Sequence, residues 1–270
     1  MEAAREGHPS VRLISLPHNF GIGGWNEGFR VAEGKYVVVL DDDSFPAPDA
    51  IGKIVEAFEG NPRLGIVVCR ILQSTTREIL NPPLAPSGFP LPQHAWAEDV
   101  PYMSFAGEGA GIRASLIRAI GGYDANFFLY GNEEDFSARA LQASWDIRYF
   151  SSIVFYHDKP VRGRITPLHC RSHLSNLSKW ARRYLSIGPR LNFVLGIHCM
   201  SRRYWGNRSL LTTWFGQLVL NLALSLRPQT VRLKQDVVDR YKPFCKNGYL
   251  SHRVFHHIKM ALNGYGWSSD

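Results

Sequence analysis

Tyr36-Val37-Val38-Val39-Leu40 runs directly into Asp41-Asp42-Asp43-Ser44, and no other stretch constrains the fold of this chain so tightly. An unbroken apolar run with three β-branched valines predicts a short strand buried on both faces. Pro46 and Pro48 cannot continue a ladder, so the strand ends at the aspartates. Three adjacent carboxylates repel one another unless a cation offsets their charge. Carboxylates at the C-terminal end of a central strand sit where open α/β sheets bind ligands. Oxygen donors there suit Mg²⁺ or Mn²⁺ shared with a substrate phosphate. A solvated acidic turn is the plainer account of such a run, and the buried strand before it favours a site.

A chain of 270 residues holds one large domain, or one domain with an appendage. Its 45% hydrophobic and 20% charged residues are those of a globular protein. The formal charge of +8 is uneven, because residues 160–210 are rich in arginine and nearly free of acids. Such a patch implies an anionic partner: nucleic acid, a phospholipid surface or a phosphorylated substrate. Cys69, Cys170, Cys199 and Cys245 show no CxxC and no pairing pattern, as expected of reduced thiols in the cytoplasm. The opening MEAAREGHPS carries no signal-peptide pattern.

In chain order, Met1 to Glu6 reads as a helix tail and Val11 to Leu16 as a strand, which implies that an earlier βα unit is missing. Asn19-Phe20-Gly21-Ile22-Gly23-Gly24-Trp25-Asn26 then opens a helix through about Glu33. Glycines there let a phosphate or sugar approach backbone N–H groups, although the spacing fits neither a Walker loop nor a dinucleotide fingerprint. A helix over Asp49–Glu59 and a buried strand over Leu64–Cys69 follow, giving the alternation of a mainly parallel α/β sheet. The proline-rich stretch 73–101 breaks that rhythm; His94 and Trp96 in it are candidates for an acceptor pocket or for simple loop packing. Phe105 to Arg113 is small-residue backbone, and Ser115–Ile120 a short helix. In Phe127-Phe128-Leu129-Tyr130-Gly131-Asn132-Glu133-Glu134-Asp135, Asn132 is placed as an N-cap with acids in the first turn. Three acids exceed what capping requires, so one of them is a candidate general base. A strand over Trp145–Phe155 ends at His157, which reaches the aspartates if the strand ends converge.

The order NxGxGGxNxG, strand–LDDD, GGYD…FFxYxxEED…R and strand–YH resembles the family-two inverting glycosyltransferases of GT-A fold, over about residues 10–158. Enzymes of the rhamnosyl- or galactofuranosyltransferase kind are the most similar in pattern. The resemblance implies a Rossmann-like nucleotide-diphospho-sugar transferase: a mixed, mainly parallel sheet over 1–158 with a mainly helical extension over 159–270. It implies a DxD motif in Asp41 and Asp43, with Asp43 on Mn²⁺ or Mg²⁺ and Asp41 or Asp42 on the ribose or diphosphate. His157 matches the histidine that completes the metal shell, so the implied metal set is Asp41, Asp43 and His157. Asn19, Gly23, Gly24 and Asn26 would lie along the donor. The family's base position falls on Glu133, with Glu134 and Asp135 as the other candidates, since Asn-Glu-Glu-Asp departs from the commoner Glu-Asp-x-Asp. The implied reaction moves a sugar from a nucleotide-diphosphate donor to a glycan or lipid-linked acceptor with inversion. A chain without the family's first βα unit would be an inactive fragment or a weak donor binder.

In 159–270, arginines interleave with Leu174, Leu177, Trp180, Tyr184, Trp205 and Trp214. Basic helices with aromatics lie on anionic membranes, which predicts a cytoplasmic protein peripheral on the inner face of the cell membrane. A helical appendage with a solvated basic face explains the same pattern. Leu210 to Leu226, interrupted by Gln217 and Asn221, is short for a span. No specific nucleic-acid partner is expected, because no recognition motif accompanies the charge. A nucleotidyltransferase would also use paired aspartates, but would need a basic phosphate grip near the glycine turn.

Overall fold

A computed structural model describes residues 11–80, 98–158, 167–201 and 208–247. A 3₁₀ turn at Gly21–Gly24 leads into α1 (Trp25–Val31), β1 (Tyr36–Val39), β2 (Ser44–Pro46), α2 (Ala50–Gly60) and β3 (Leu64–Gln73). Then come β4 (Val100–Pro101), β5 (Ala110–Arg113), α3 (Ala114–Ile120), α4 (Asn132–Gln142) and β6 (Asp146–His157). Four further helices follow: α5 (Pro167–Tyr184), α6 (Ile187–Ser201), α7 (Arg208–Ser225) and α8 (Gln235–Asn247).

The strands form one mixed sheet in the order β1-β5-β3-β6-β2, with β4 paired to β6. Its longest ladder, β3 with β6, is parallel and runs from Leu64 opposite Asp146 to Gln73 opposite His157. The shorter strands β1, β2, β4 and β5 pair antiparallel. β3 is buried along nearly its whole length, and its side chains divide between two cores. Ile66 and Val68 face one, with Phe105, Phe136 and Tyr149; Val67 and Cys69 face the other, with Ile54, Phe58 and Phe155. That is the period of two for a strand covered on both sides. Gly111 of β5 permits the second core, since a β-carbon there would lie 2.7 Å from Ile54 and 3.1 Å from Phe58. The buried Arg113 ties the layers, donating to the carbonyls of Phe58, Asn61 and Leu64.

Three local expectations are corrected. Val11–Leu16 is not a strand: it is irregular and exposed, and no described strand offers it a ladder to satisfy its backbone. β1 stands at one end of the described strand order and is mostly half-buried, because β5 alone pairs with it among the described residues. At α4 the cap is Gly131 rather than Asn132. Gly131 adopts φ +80°, which glycine tolerates without penalty, and Asn132 becomes the first helical residue. The segment holding His94 and Trp96 lies outside the described residues, as do Met1 to Glu6.

The C-terminal helices share the first core. Leu174, Leu177, Trp180, Tyr184, Phe193, Val237 and Tyr241 join the cluster that holds Phe136 and Tyr149. Trp180, fully buried, stacks edge-on to Tyr241 at 5.3 Å, and its indole N–H donates to the Glu134 carbonyl at 3.1 Å. Replacing Trp180 with Ala is expected to lower unfolding free energy by about 3–5 kcal/mol in a single urea transition followed by far-UV circular dichroism. Two separate transitions, with only the weaker one shifted, would show that the helices fold apart from the sheet.

Candidate active site

β6 brings the first group into place. Its last residue, His157, pairs antiparallel with Ser44 at the start of β2 and parallel with Gln73 at the end of β3. The Asp158 N–H donates to the Asp43 carbonyl at 2.7 Å, and the Ser44 N–H to the Asp41 carbonyl at 3.1 Å. The turn after β1 is thereby laced to the end of β6, and His157 is 2% exposed beside the aspartates. Its Nε2 lies 3.0 Å from Asp43 Oδ1. Asp41, Asp43 and His157 each offer one atom, all within 4.8 Å of one another, a set that could hold a metal ion. Asp42 points to solvent and stands outside that set.

Electrostatics at this point favour a cation. Partial burial raises the Asp41 pKa, Glu108, Asp43 and Asp42 push it the same way, and His157 opposes them. Buried polar atoms are normally hydrogen-bonded, yet the Ser44 hydroxyl and both ring nitrogens of His157 make no hydrogen bond. Cations bound at about 2.1 Å in octahedral geometry set adjacent donors roughly 3.0 Å apart, the spacing of His157 Nε2 and Asp43 Oδ1. These residues therefore fit Mn²⁺ or Mg²⁺.

Glu108 is a fourth acid that sequence reasoning passed over. It follows β4 in the turn before β5, and its Oε1 lies 3.8 Å from His157 Nδ1. The flanking glycines were its only signal. A β-carbon at Gly109 would lie 2.7 Å from Phe155, so this backbone must approach β6 closely. On the other side, a β-carbon at Gly107 would lie 3.1 Å from Glu133 Oε1. One turn thus touches both the metal-binding set and the acidic helix start.

The three acids of α4 have different surroundings. Glu133 and Glu134 are half-buried. Asp135 is wholly buried and accepts from Arg139 Nε at 2.8 Å, Arg183 at 2.6 Å and the Tyr184 hydroxyl at 2.8 Å. Arg183 also reaches Asp124 at 2.8 Å, and Arg139 donates to the carbonyls of Ile120 and Gly122. This network fixes the loop before α4 to α5. Tyr123 sits between the clusters, its buried hydroxyl without a hydrogen bond. Burial pushes its pKa well up, and Glu133, Asp41 and Glu134 add to the effect, so the phenol stays neutral.

The glycine turn reaches the site through Tyr123. Asn26 accepts from the Tyr123 N–H and donates to its carbonyl, both at 2.8 Å, so its amide is occupied in holding backbone. Asn19 Oδ1 accepts from the Gly21 N–H at 2.7 Å. Gly21 adopts φ +57° and packs on the Phe128 carbonyl, while Gly23 lies against Ala125. Gly24, in helical conformation, adjoins Leu16. Asn19, Gly23, Gly24 and Asn26 thus build the wall beside the loop 123–131.

Asp135→Ala is expected to destabilise the fold by about 3–5 kcal/mol, since it removes the buried acceptor shared by Arg139, Arg183 and the Tyr184 hydroxyl. Glu133→Gln should change stability by less than about 1 kcal/mol. Urea melts of the two variants check this ordering, and equal losses would contradict it.

The sequence model described as Glycosyl transferase family 2 matches residues 1–121. No curated protein matches the sequence. The structure of GalNAc-T7 with UDP, GalNAc and Mn²⁺ aligns with TM-score 0.56 at 16% identity over 81% of this chain, which spans 45% of that one. A mannosyltransferase, PcManGT from Pyrobaculum calidifontis, in complex with GDP-Man and Mn²⁺, aligns with TM-score 0.51 at 19% identity, covering 100% of this chain and 74% of its own. S. aureus TarS with UDP-GlcNAc aligns with TM-score 0.57 at 11% identity over 100% of this chain and 81% of its own. The chain has the GT-A fold.

Proposed function

We propose that this protein is a metal-assisted glycosyltransferase that takes a sugar from a nucleotide-diphosphate donor. The observation that carries the reading is the convergence of Asp41, Asp43 and the buried His157 at the end of the sheet in a GT-A fold. The match to the family-two sequence model and the nucleotides in the aligned structures support it. Asp41, Asp43 and His157 hold Mn²⁺ or Mg²⁺, which when bound neutralises charge on the diphosphate leaving group. The wall of Asn19, Gly23 and Gly24 lines the donor, Asn26 sets the wall's position through Tyr123, and Asp42 faces the nucleotide from solvent. Rhamnose and galactofuranose donors are the first to test.

Glu133 is the base in this reading. Both Asp135 oxygens are engaged by cationic and phenolic donors, which suits it to positioning α4 rather than to accepting a proton. Glu133 lies beside the Gly107 turn that also carries Glu108, while Glu134 is the second candidate. The acceptor hydroxyl of a glycan or lipid-linked sugar attacks the anomeric carbon from the face opposite the diphosphate. Its proton passes to Glu133, the new C–O bond forms, and the electron pair of the broken bond leaves with the phosphate oxygen, inverting the configuration. Glu133→Gln should slow single turnover at saturating donor by about two to four powers of ten with donor affinity unchanged. Asp43→Ala should instead abolish Mn²⁺-dependent donor binding measured by calorimetry. Undiminished Mn²⁺-dependent binding in Asp43→Ala would overturn the metal assignment.

A peripheral site at the inner face of the membrane is part of the same reading. Among the described residues no helix is long and apolar enough to cross a membrane. Much of the basic pattern is used internally: Arg183 binds acids, Lys179 the Asn126 carbonyl, and the buried Arg190 the carbonyls at 185, 225 and 227. One side of α7 is apolar and exposed, with Phe215, Gly216, Val219, Leu220 and Ala223 at helical spacing and Leu226 following. Arg182 and Arg227 stand close enough to depress the Arg182 pKa, after the larger effect of burial. An apolar helix face beside paired cations on a chain of charge +8 suits an anionic lipid surface. The chain should sediment with phosphatidylglycerol vesicles at low salt, and Phe215→Asp with Leu220→Asp should abolish this. Unaltered sedimentation of the double variant would rule out that face.

A further inference from the structure

His157 has carboxylates on both sides of its ring. Nε2 faces Asp43 at 3.0 Å, Nδ1 faces Glu108 at 3.8 Å, and the side chain is 3% exposed. A neutral imidazole has one N–H and one lone pair, so one carboxylate can accept its proton while the other faces a lone pair. Two acceptors at close range repel unless a cation lies between them. Nε2 is the nitrogen that faces a carboxylate of the metal-binding set, whereas Nδ1 faces Glu108, which stands outside that set, so the cation belongs with Nε2 and the N–H with Nδ1.

The turn that carries Glu108 is built for such a contact. Gly109 allows its backbone to pass against Phe155, two residues before His157 on β6, where any side chain would collide. The Gly109 N–H closes the turn onto the Ala106 carbonyl at 3.4 Å. Glu108 itself is half-buried, with a side chain 15% exposed, and needs to move less than an ångström to come within about 3.0 Å of Nδ1. No other described histidine or cysteine belongs to this metal-binding set.

We propose that Glu108 is a positioning residue: it accepts the Nδ1 proton of His157 and so presents the Nε2 lone pair to the cation shared with Asp41 and Asp43. Partners of this kind fix the tautomer and orientation of a metal-binding histidine, and their loss costs about 10–100-fold in metal affinity. The inference rests on the metal reading above, and adds that Glu108 acts through His157 rather than on the metal.

Two measurements on the full chain test it. The first is the ¹⁵N shift of the His157 ring in the metal-free protein, assigned by its loss in His157→Gln. The N–H should populate Nδ1 in the parent and in Glu108→Gln, whose amide oxygen still accepts, and should move to Nε2, where Asp43 is the remaining acceptor, in Glu108→Ala. The second is Mn²⁺ affinity by electron paramagnetic resonance of the free ion. Glu108→Ala should weaken it about 10–100-fold, with Glu108→Gln recovering most of the loss. Equal weakening in both variants would make Glu108 a direct ligand and overturn the positioning role. Parent affinity in Glu108→Ala would overturn it too, leaving the metal reading intact. A parent chain that binds no Mn²⁺ would remove the metal reading and this inference together.

Discussion

The pairing of β6 with its neighbours is the constraint on which the site depends. β6 joins β3 in the long parallel ladder, meets β2 and β4 antiparallel, and ends at His157. Because strand side chains alternate, a slip of one residue would turn His157 away from Asp43 and Phe155 out of the core. The fully buried Phe155, beyond the irregularity in the ladder between Phe150 and Val154, fixes that register at this end of β6. Apolar packing along the strand therefore holds a polar atom at its end to within hydrogen-bond distance of an aspartate in the turn between β1 and β2.

A second constraint joins the sheet to the helices that follow. The buried Asp135 carboxylate needs the positive and phenolic donors of Arg139, Arg183 and Tyr184, and two of these three come from α5. Removing α5 would leave a buried charge facing Arg139 alone, which is far costlier than losing an exposed ion pair. Asn176 strengthens the joint by donating to the carbonyls of Leu129 and Tyr130 just ahead of the αL glycine at 131. The start of α4, and Glu133 on it, is thus placed by residues some fifty positions away.

Much of this was legible in the sequence, for identifiable reasons. The valine run ending at Asp41 marked β1 and its acidic turn, and the period-3.6 apolar residues of 49–59 marked α2. β3 was foreseen only to Cys69, because Arg70 and Gln73 hid its continuation to residue 73. The Val11–Leu16 run had strand composition without a described partner, and composition cannot supply a ladder. Glu108 and the use of Arg183 were not legible. A glutamate between glycines and one arginine among many acquire meaning only when the fold sets them against His157 and Asp135. Gln217 and Asn221, read as breaks in an apolar segment, bond each other, and Asn221 faces the buried His198 across α6 and α7. Their polarity marks the inward side of α7, opposite to where a surface reading would put it.

The account turns on whether carboxylates gathered at the end of the sheet are balanced by a cation. Asp41 is already raised by burial and by its acidic neighbours, so the unbalanced cluster opposes its own full ionisation. The most direct measurement is the anomalous diffraction of crystals grown with Mn²⁺ and a nucleoside diphosphate, recorded at the manganese edge. The account predicts one strong peak bounded by Asp41, Asp43 and His157, with the diphosphate against it. A diphosphate bound in the cleft with no peak there, or a peak remote from His157, would contradict it.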